Sequence, residues 1–372
     1  MIVRDRPTPV PRPGSLRKLL VEALGMLSYP HHPDRYLELA DPLLVTSANY
    51  ARITDVDRSA TDSLTVTVRP AQPCRPLPGQ YVTVSVRIDG VRHTRCYSPT
   101  LVDAGSKRRP DLRFTIGRHP EGTVSRHLHD RAQVGDVVEL GSPVGEFVLP
   151  SPRPRRLLFV AAGSGLTPVL SMLSGLVAEG YDGSAVLLYY TRTPGHVPRR
   201  AELEALADRP NIEIVHAHTR SDDGMLQGRF DRSHLAAVAP WYADTPTFVC
   251  GPAEMVTSIR EVYAERGAET MVNTEEFVLA PPVVSTDDAG GEISFAESGV
   301  VAENTGSTLL EQAEAAGLTP EHGCRMGICH SCTAVRLSGC TRDVRTGDVD
   351  SEPGRRIRIC VNAPVGDVAV EL

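Results

Sequence analysis

The stretch RLLFVAAGSGLTPVLSMLSGLVAEG, residues 156–180, decides the fold of the middle of the chain. Its first part is a short apolar run of the kind that forms a buried strand, and its last part repeats apolar residues with the period of a helix. A glycine-rich turn at residues 163–165 joins the two. Strand and helix patterns then alternate as far as Phe277. This alternation predicts an α/β domain with a doubly wound parallel sheet over residues 153–280.

The flanking regions differ from this middle part, and 372 residues exceed what a single hydrophobic core organises. Residues 46–152 contain short alternating strands separated by turns, which predicts an antiparallel β-barrel with one inserted helix opening at Gly122. Residues 292–372 predict a hairpin and a helix that begins at Thr308, a small α+β domain. The chain is therefore predicted to be a multi-domain protein.

The remaining segments predict an extension and a linker. Residues 1–45 begin with a stretch rich in Pro and Arg, and an amphipathic helix with a leucine-rich face is predicted from Ser15. This face packs on the body of the protein in one interpretation, and docks on a membrane surface or a partner in the other. Residues 281–291, rich in Pro, Gly and acidic residues, predict a linker.

Composition excludes several classes of protein. The chain is 41% hydrophobic and 23% charged and has no apolar run of ~18 residues, so a soluble cytoplasmic protein is expected. No basic stretch with interleaved aromatic residues indicates nucleic-acid binding. Residues 287–372 carry 14 acidic and 7 basic side chains, which accounts for the whole net charge of −7. This acidic segment is either a solvated face or a docking surface for an electropositive partner.

A cysteine frame marks the last quarter of the chain. Cys324, Cys329 and Cys332 lie on one loop, and Cys360 follows after 27 residues. Three thiolates on a tight loop and a fourth from a distant strand match the ligand spacing of a plant-type 2Fe–2S ferredoxin. One alternative is zinc, although structural zinc sites usually add a second Cys or His pair. The other is a set of cysteines that are buried or joined in disulfides.

Two turns of the α/β region have the chemistry of a nucleotide site. The turn at residues 163–168 lets backbone N–H groups approach a pyrophosphate at a helix N-terminus, although a Thr-Pro pair stands where the usual fingerprint has a third glycine. Cys250 ends another predicted parallel strand, where ligands bind in such sheets. The structural alternatives are a tight turn without a ligand and a buried cysteine before a turn.

Two segments of the predicted barrel carry groups suited to a ring and a phosphate. Residues 95–98 place an Arg that can pair with phosphate, a Tyr that can stack on a planar ring and a Ser that can bond to a ring nitrogen. Residues 122–125 provide a helix N-terminus that can receive an anion. Taken alone, the first segment could be a surface strand with a paired Arg, and the second an ordinary capped helix.

The order of these motifs, RxYS, GxxS, GxGxxP and CGPxxM, closely resembles the ferredoxin–NADP reductase superfamily, and the cysteine frame resembles a plant-type ferredoxin. Residues 46–372 together resemble the reductases that serve oxygenases and desaturases. This resemblance implies a β-grasp fold for residues 292–372. The segment HHPDRYLELADPL in the N-terminal extension is similar to actinobacterial reductases proposed to serve membrane fatty-acyl desaturases.

The resemblance implies a role for each motif residue. Arg95 would bind the FAD pyrophosphate, Tyr97 would stack on the isoalloxazine, and Ser98 would lie near its N5 as a catalytic residue together with Cys250. The helix N-terminus that would receive the FAD pyrophosphate comprises Gly122, Thr123, Val124 and Ser125. The residues that would bind the nicotinamide dinucleotide are Gly163, Gly165, Thr167, Pro168, Cys250, Gly251 and Pro252. Glu275 and Phe277 resemble an acidic and aromatic pair near the flavin, and the four cysteines of the frame would hold the cluster.

The implied function is electron transfer from NAD(P)H through FAD to a 2Fe–2S cluster and on to a separate oxygenase, desaturase or haem monooxygenase. NADPH is favoured over NADH, because Arg192 follows the second strand of the parallel sheet, where a cation can bind the 2′-phosphate. A peripheral contact with a membrane-bound partner is a further expectation. The alternatives are a zinc-stapled binding protein on a reductase scaffold and a self-contained oxygenase component.

Overall fold

The computed structural model describes residues 34–45, 48–102, 110–120, 122–275, 289–323, 325, 327 and 330–372. The predicted helix from Ser15, most of the linker, Phe277, Cys324 and Cys329 lie outside the described residues. No helix in the described ranges is both long enough and apolar enough to cross a membrane.

The first sheet is antiparallel and has seven strands in the order β4-β3-β7-β1-β2-β6-β5. Its elements are helix α1 (Asp34–Ala40), a 3-10 turn (Pro42–Leu44), β1 (Asn49–Asp57), β2 (Ser63–Pro70), β3 (Val82–Ile88), β4 (Val91–Tyr97), β5 (Thr100–Leu101), β6 (Leu112–Gly117), α2 (Thr123–Arg131) and β7 (Val137–Leu140). In the described part of the chain, the edge strands β4 and β5 do not pair with each other. The predicted barrel is thus a half-barrel.

The half-barrel is filled by apolar side chains that alternate along its strands. Ile53, Leu64 and Phe114 are almost completely buried, and α2 adds Val124 and Leu128 to the same core. The segment before β1 is tied to this sheet by an ion pair in which the Arg52 guanidinium donates to both carboxylate oxygens of Asp41 at 2.9 Å. Asp41 also caps the 3-10 turn, because its side chain accepts a hydrogen bond from the backbone N–H of Leu43.

The second sheet is entirely parallel, in the order β11-β10-β9-β8-β12-β13, and confirms the predicted doubly wound fold. Its elements are β8 (Arg156–Ala162), α3 (Leu166–Glu179), β9 (Ser184–Thr191), α4 (Arg200–Ala207), β10 (Ile212–His218), β11 (Leu226–Gln227), α5 (Arg232–Val238), β12 (Thr247–Cys250), α6 (Ala253–Ala264) and β13 (Val272–Glu275).

The central strand of this sheet shows why its sequence is apolar throughout. Leu157 and Phe159 of β8 belong to the core on one face of the sheet, and Leu158 and Val160 belong to the core on the other. Helices cover both faces, so neither set of side chains reaches water. The chain runs outward from β8 through β9 and β10, and then returns to β12 on the other side of β8. The switch point therefore lies between the carboxyl ends of β8 and β12, where ligands bind in such sheets.

The third sheet confirms the predicted α+β grasp fold. Its elements are β14 (Glu292–Phe295), β15 (Val300–Glu303), α7 (Leu309–Ala315), β16 (Thr333–Asp343), β17 (Val349–Asp350), β18 (Arg355–Arg358) and β19 (Asn362–Val370). The hairpin β14–β15 is joined to the parallel strand β19, which pairs with β16. Thr308, the predicted start of this helix, is its N-cap and makes a reciprocal capping box with Glu311.

Candidate functional site

Two turns meet at the switch point of the parallel sheet. Gly165 lies so close to the end of β12 that a Cβ added to it would come within 2.0 Å of the Cys250 carbonyl oxygen. Gly163 has φ +55° with open space around it, so the backbone turns sharply out of β8 toward the cleft. The motifs at residues 163–165 and 250–252 are thus brought together, although 85 residues separate Gly165 from Cys250.

A cleft of about 1190 Å³ opens over these turns. Gly163, Gly165, Gly251 and Pro252 line it, and Arg192 lies at its side. Thr167 and Pro168 do not line it: both are buried in the first turn of α3, where the Thr167 hydroxyl donates to the Ser164 carbonyl at 3.1 Å. These two residues therefore hold the turn in place from beneath. The sequence reasoning missed Arg229, which also lines the cleft and follows the short strand β11.

The floor of the switch point contains a thiol and a carboxyl. Cys250 is fully buried at the end of β12, and Glu275 lies opposite it in the register of β12 and β13. Burial raises the pKa of Glu275 to about 8, and its Oε2 has no hydrogen-bond partner among the described residues. The neighbouring strand thus places a neutral carboxyl beside the predicted nicotinamide site at pH 7.

Arg192 also contacts the half-barrel. Its Nη1 lies 3.2 Å from Oδ2 of Asp62, and His196 Nε2 lies 3.5 Å from the same oxygen. Asp62 is held by a backbone hydrogen bond of 2.7 Å from the Arg118 N–H to its carbonyl. The sequence reasoning did not identify Asp62, because no local pattern links a turn of the first sheet to an arginine of the second.

The end of β4 carries the predicted flavin motif. Ser98 is 3% exposed, and its hydroxyl has no hydrogen-bond partner in the described structure. The Tyr97 ring packs edge-on against Phe114 with centroids 6.4 Å apart, and burial raises the pKa of its phenol. Arg95 donates from Nη1 to the carbonyl oxygens of Thr94 at 2.8 Å and Gly323 at 2.9 Å. A buried hydroxyl without a partner fits a site completed by a ligand with an acceptor.

Helix α2 presents an uncapped N-terminus. Gly122 is its N-cap residue, and no side chain caps the first turn. Val124 and Ser125 are buried, whereas Thr123 is exposed. The Ser125 hydroxyl donates to the Gly122 carbonyl at 3.2 Å and accepts from the backbone N–H of His119 at 3.3 Å. The first N–H groups of this nine-residue helix fit a phosphate group.

Two cysteines of the predicted frame are described. Cys332 and Cys360 are both buried, and the backbone N–H of Ile359 donates to the Cys332 carbonyl at 3.1 Å. The cysteine loop also approaches this region, because a Cβ on Gly327 would come within 2.7 Å of Val361. Gly327 has φ +70°, a conformation that favours glycine. Two buried cysteines, one from the loop and one from the later part of the frame, lie in segments joined by a backbone hydrogen bond, which fits a metal cluster.

The comparisons with known proteins agree with these three regions. Residues 58–149 match the family of oxidoreductase FAD-binding domains, and residues 159–261 match the oxidoreductase NAD-binding domain. Residues 295–364 match the 2Fe–2S iron–sulfur cluster binding domain.

Three individual proteins show how far the similarity extends. The chain is 36% identical over 362 residues to an NADPH oxidoreductase of Mycobacterium tuberculosis, covering 96% of this chain and 92% of that protein. It is 32% identical over 290 residues to the ferredoxin reductase component of 3-ketosteroid-9-alpha-monooxygenase of the same species, covering 73% and 77%. The solved structure of phthalate dioxygenase reductase is similar with a TM-score of 0.60 and 26% identity, covering 87% of this chain and 97% of that one.

These findings account for the cofactors that the site fits. FAD accepts a hydride from NAD(P)H and gives up its two electrons one at a time to a 2Fe–2S cluster. The three matched regions provide the FAD-binding, NAD-binding and 2Fe–2S binding domains that this transfer requires. The chain belongs to the family of NAD(P)H oxidoreductases of the ferredoxin reductase type, with FAD-binding, NAD-binding and 2Fe–2S domains in one polypeptide.

Proposed function

We propose that this reductase uses NADPH in preference to NADH. The observation that carries the proposal is the set of cations at the cleft, Arg192, Arg220 and Arg229. Glu254 is the one acidic residue among the described residues that line the cleft, and it pairs with Arg229 at 3.1 Å. Guanidinium groups suit a 2′-phosphate, whereas a free ribose diol is usually held by a carboxylate.

We further propose the assignment of residues to cofactors. Arg95, Tyr97 and Ser98 hold the flavin with the N-terminus of α2, which comprises Gly122, Thr123, Val124 and Ser125. The nucleotide lies over Gly163, Gly165, Gly251 and Pro252, with Cys250 beneath the nicotinamide and Thr167 and Pro168 supporting the turn. The cluster is bound by Cys324, Cys329, Cys332 and Cys360. The division of the chain at residues 46–152, 153–280 and 292–372 belongs to the same proposal.

The electron acceptor that we propose is a separate oxygenase in the cytoplasm. Support comes from the two relatives whose names place them with a monooxygenase and a dioxygenase. A membrane-bound fatty-acyl desaturase is the second candidate. It is favoured by α1 and the turn after it, because Leu39 is 84% exposed and Leu44 is 45% exposed beside the leucine-rich N-terminal sequence.

Replacement of Arg192 tests the nucleotide preference. Arg192→Ala removes a charge-assisted contact to the 2′-phosphate, so kcat/KM for NADPH is expected to fall by about 10- to 100-fold. The value for NADH is expected to stay within about twofold. Steady-state kinetics with both nucleotides measure this change. Arg209→Ala is the matched control, because Arg209 is exposed and does not line the cleft. Equal losses for the two nucleotides would contradict the proposal.

The choice of acceptor is tested by coupling. NADPH consumption by the purified reductase is measured with a soluble oxygenase and with a desaturase in vesicles. Consumption that rises only with the oxygenase supports the first candidate, and a rise only with the desaturase supports the second.

A further inference from the structure

Strand β4 contacts the chain immediately before the cysteine loop. Arg92 Nη1 lies 3.3 Å from Oε1 of Glu321, and Arg92 Nη2 lies 3.0 Å from Oε1 of Glu139 on β7. Three residues further along β4, Arg95 donates to the carbonyl oxygen of Gly323 at 2.9 Å. The strand that carries the flavin motif therefore also holds the segment 321–323 of the third sheet's domain.

The charged side chains near this contact explain why a carboxylate at position 321 stabilises it. Burial lowers the pKa of His93 on β4, and the neighbouring side chains of Arg95, His322, His127 and Arg325 lower it further. The guanidinium groups of Arg95 on β4 and Arg325 on the cysteine loop thus both lie near His93, and their like charges repel. Glu314 faces Arg325, with which it forms an ion pair. Glu321 is left as the carboxylate that the loop presents to Arg92.

The position of the contact links it to electron transfer. Glu321 precedes the first cysteine of the frame by three residues and Gly323 precedes it by one, while Arg95 opens the flavin motif. Fixing segment 321–323 on β4 therefore fixes how far the cysteine loop lies from the flavin motif. Since electron transfer slows steeply with the distance between two centres, a contact at this point controls its rate.

We propose that Arg92 and Glu321 are positioning residues that dock the cysteine loop onto β4, so that the two one-electron transfers from FAD to the cluster occur at short distance. Glu139 orients the Arg92 guanidinium from the other side. Neither residue belongs to the sets assigned above to the cofactors. The proposal rests on the electron path assigned above and adds to it the residues that set the geometry of one step.

The proposal is tested with charge variants of the full chain loaded with FAD and the cluster. Stopped-flow absorbance follows the reduction of each variant by NADPH. Flavin bleaching reports hydride transfer and is expected to be unchanged in every variant. Cluster reduction is expected to slow by about two- to fivefold in Arg92→Ala, the range for a partly exposed ion pair. It is expected to slow by about tenfold or more in Arg92→Glu and Glu321→Arg, where like charges meet. The double variant Arg92→Glu/Glu321→Arg is expected to recover part of the rate, because the pair is restored while Glu139 now faces a like charge at position 92.

A second measurement follows the contact itself. Amide hydrogen exchange of the peptide containing segment 321–323 is expected to accelerate in the two single charge reversals and to return toward normal in the double variant. Arg87→Ala is the matched control, because Arg87 lies on β3 and pairs with Glu38 on α1. Normal flavin bleaching with unchanged cluster reduction in Arg92→Glu would overturn the proposal. If NADPH did not bleach the flavin of the wild-type protein, the electron path on which this proposal rests would be refuted instead.

Discussion

At the scale of single residues, the Ser98 hydroxyl is expected to affect the stability of the protein and the binding of flavin in opposite directions. Its hydroxyl is buried at the end of β4 without a partner in the described structure. The buried hydroxyl of Ser85 on β3 is instead paired with the Thr94 hydroxyl at 2.7 Å. An unpaired buried hydroxyl lowers the stability of the protein alone, and a bound flavin would supply the missing acceptor or donor.

Ser98→Ala is therefore expected to leave the free energy of unfolding of the FAD-free protein unchanged, or to raise it by up to about 1 kcal/mol. FAD affinity is expected to fall about two- to tenfold through the loss of one hydrogen bond. Denaturant unfolding and a fluorescence titration with FAD measure the two effects. Ser85→Ala is the control and is expected to lower stability by about 1 kcal/mol with FAD affinity unchanged. A destabilised Ser98→Ala protein with normal FAD affinity would show that the hydroxyl serves folding alone.

At the scale of elements, the turn between β8 and α3 is fitted to the end of β12. Gly165 meets the Cys250 backbone, and the Tyr189 hydroxyl of β9 donates to the Gly163 carbonyl at 3.1 Å. Three neighbouring strands thus fix the conformation of the turn. Glycine is needed at these two positions for different reasons. A side chain at position 165 would meet the Cys250 backbone, whereas position 163 has positive φ in open space.

Two substitutions distinguish these reasons. Gly165→Ala forces a Cβ into the Cys250 carbonyl and is expected to destabilise the protein by about 3 kcal/mol, with loss of NADP⁺ binding. Gly163→Ala meets no atom within 4 Å and is expected to cost about 1 kcal/mol for its left-handed conformation. Thermal unfolding and nucleotide titration give the order of the two effects. Equal stability of the two variants would contradict the close packing of the turn after β8 against the end of β12.

At the scale of the whole molecule, the domains built on the three sheets pass electrons in sequence, and the cluster is the last centre to receive them. The buried cysteines Cys332 and Cys360 lie in the third sheet's core, whereas Cys340 lies on β16 outside the frame. Removal of a frame cysteine should interrupt the path after the flavin and leave the earlier steps intact.

Cys360→Ser is expected to abolish the visible absorbance and the electron paramagnetic resonance signal of the cluster, because a thiolate ligand is lost. Reduction of ferricyanide by NADPH is expected to persist, since the flavin site is unchanged, and transfer to the oxygenase is expected to stop. Cys340→Ser is the matched control and should retain both activities. A Cys360→Ser protein with a normal cluster signal would refute the assigned frame.

Local pattern was sufficient for most of the elements. The helix that opens at Gly122 and the helix start at Thr308 follow from residues within one turn of each other, and both predictions are confirmed. The strands β11 and β13 and helix α5 were missed. β11 is two residues long and β13 is four, too short to show a period. Asp62 was not identified from the sequence either, because its partner Arg192 lies far along the chain.

The sequence by itself determined the fold class and the order of the three regions, because strand period and glycine turns are local properties. The cysteine spacing indicated the cluster, whereas FAD and the nicotinamide dinucleotide were implied by the resemblance of the motifs to a known family. The tertiary structure alone decided what the turn after β8 meets, which carboxylate faces Arg192 and where the cysteine loop rests. Gly165 meets Cys250, Arg192 meets Asp62 and Arg92 meets Glu321 through pairings of residues that lie far apart in the chain. Such pairings depend on how whole sheets pack, and no short stretch of sequence encodes that packing.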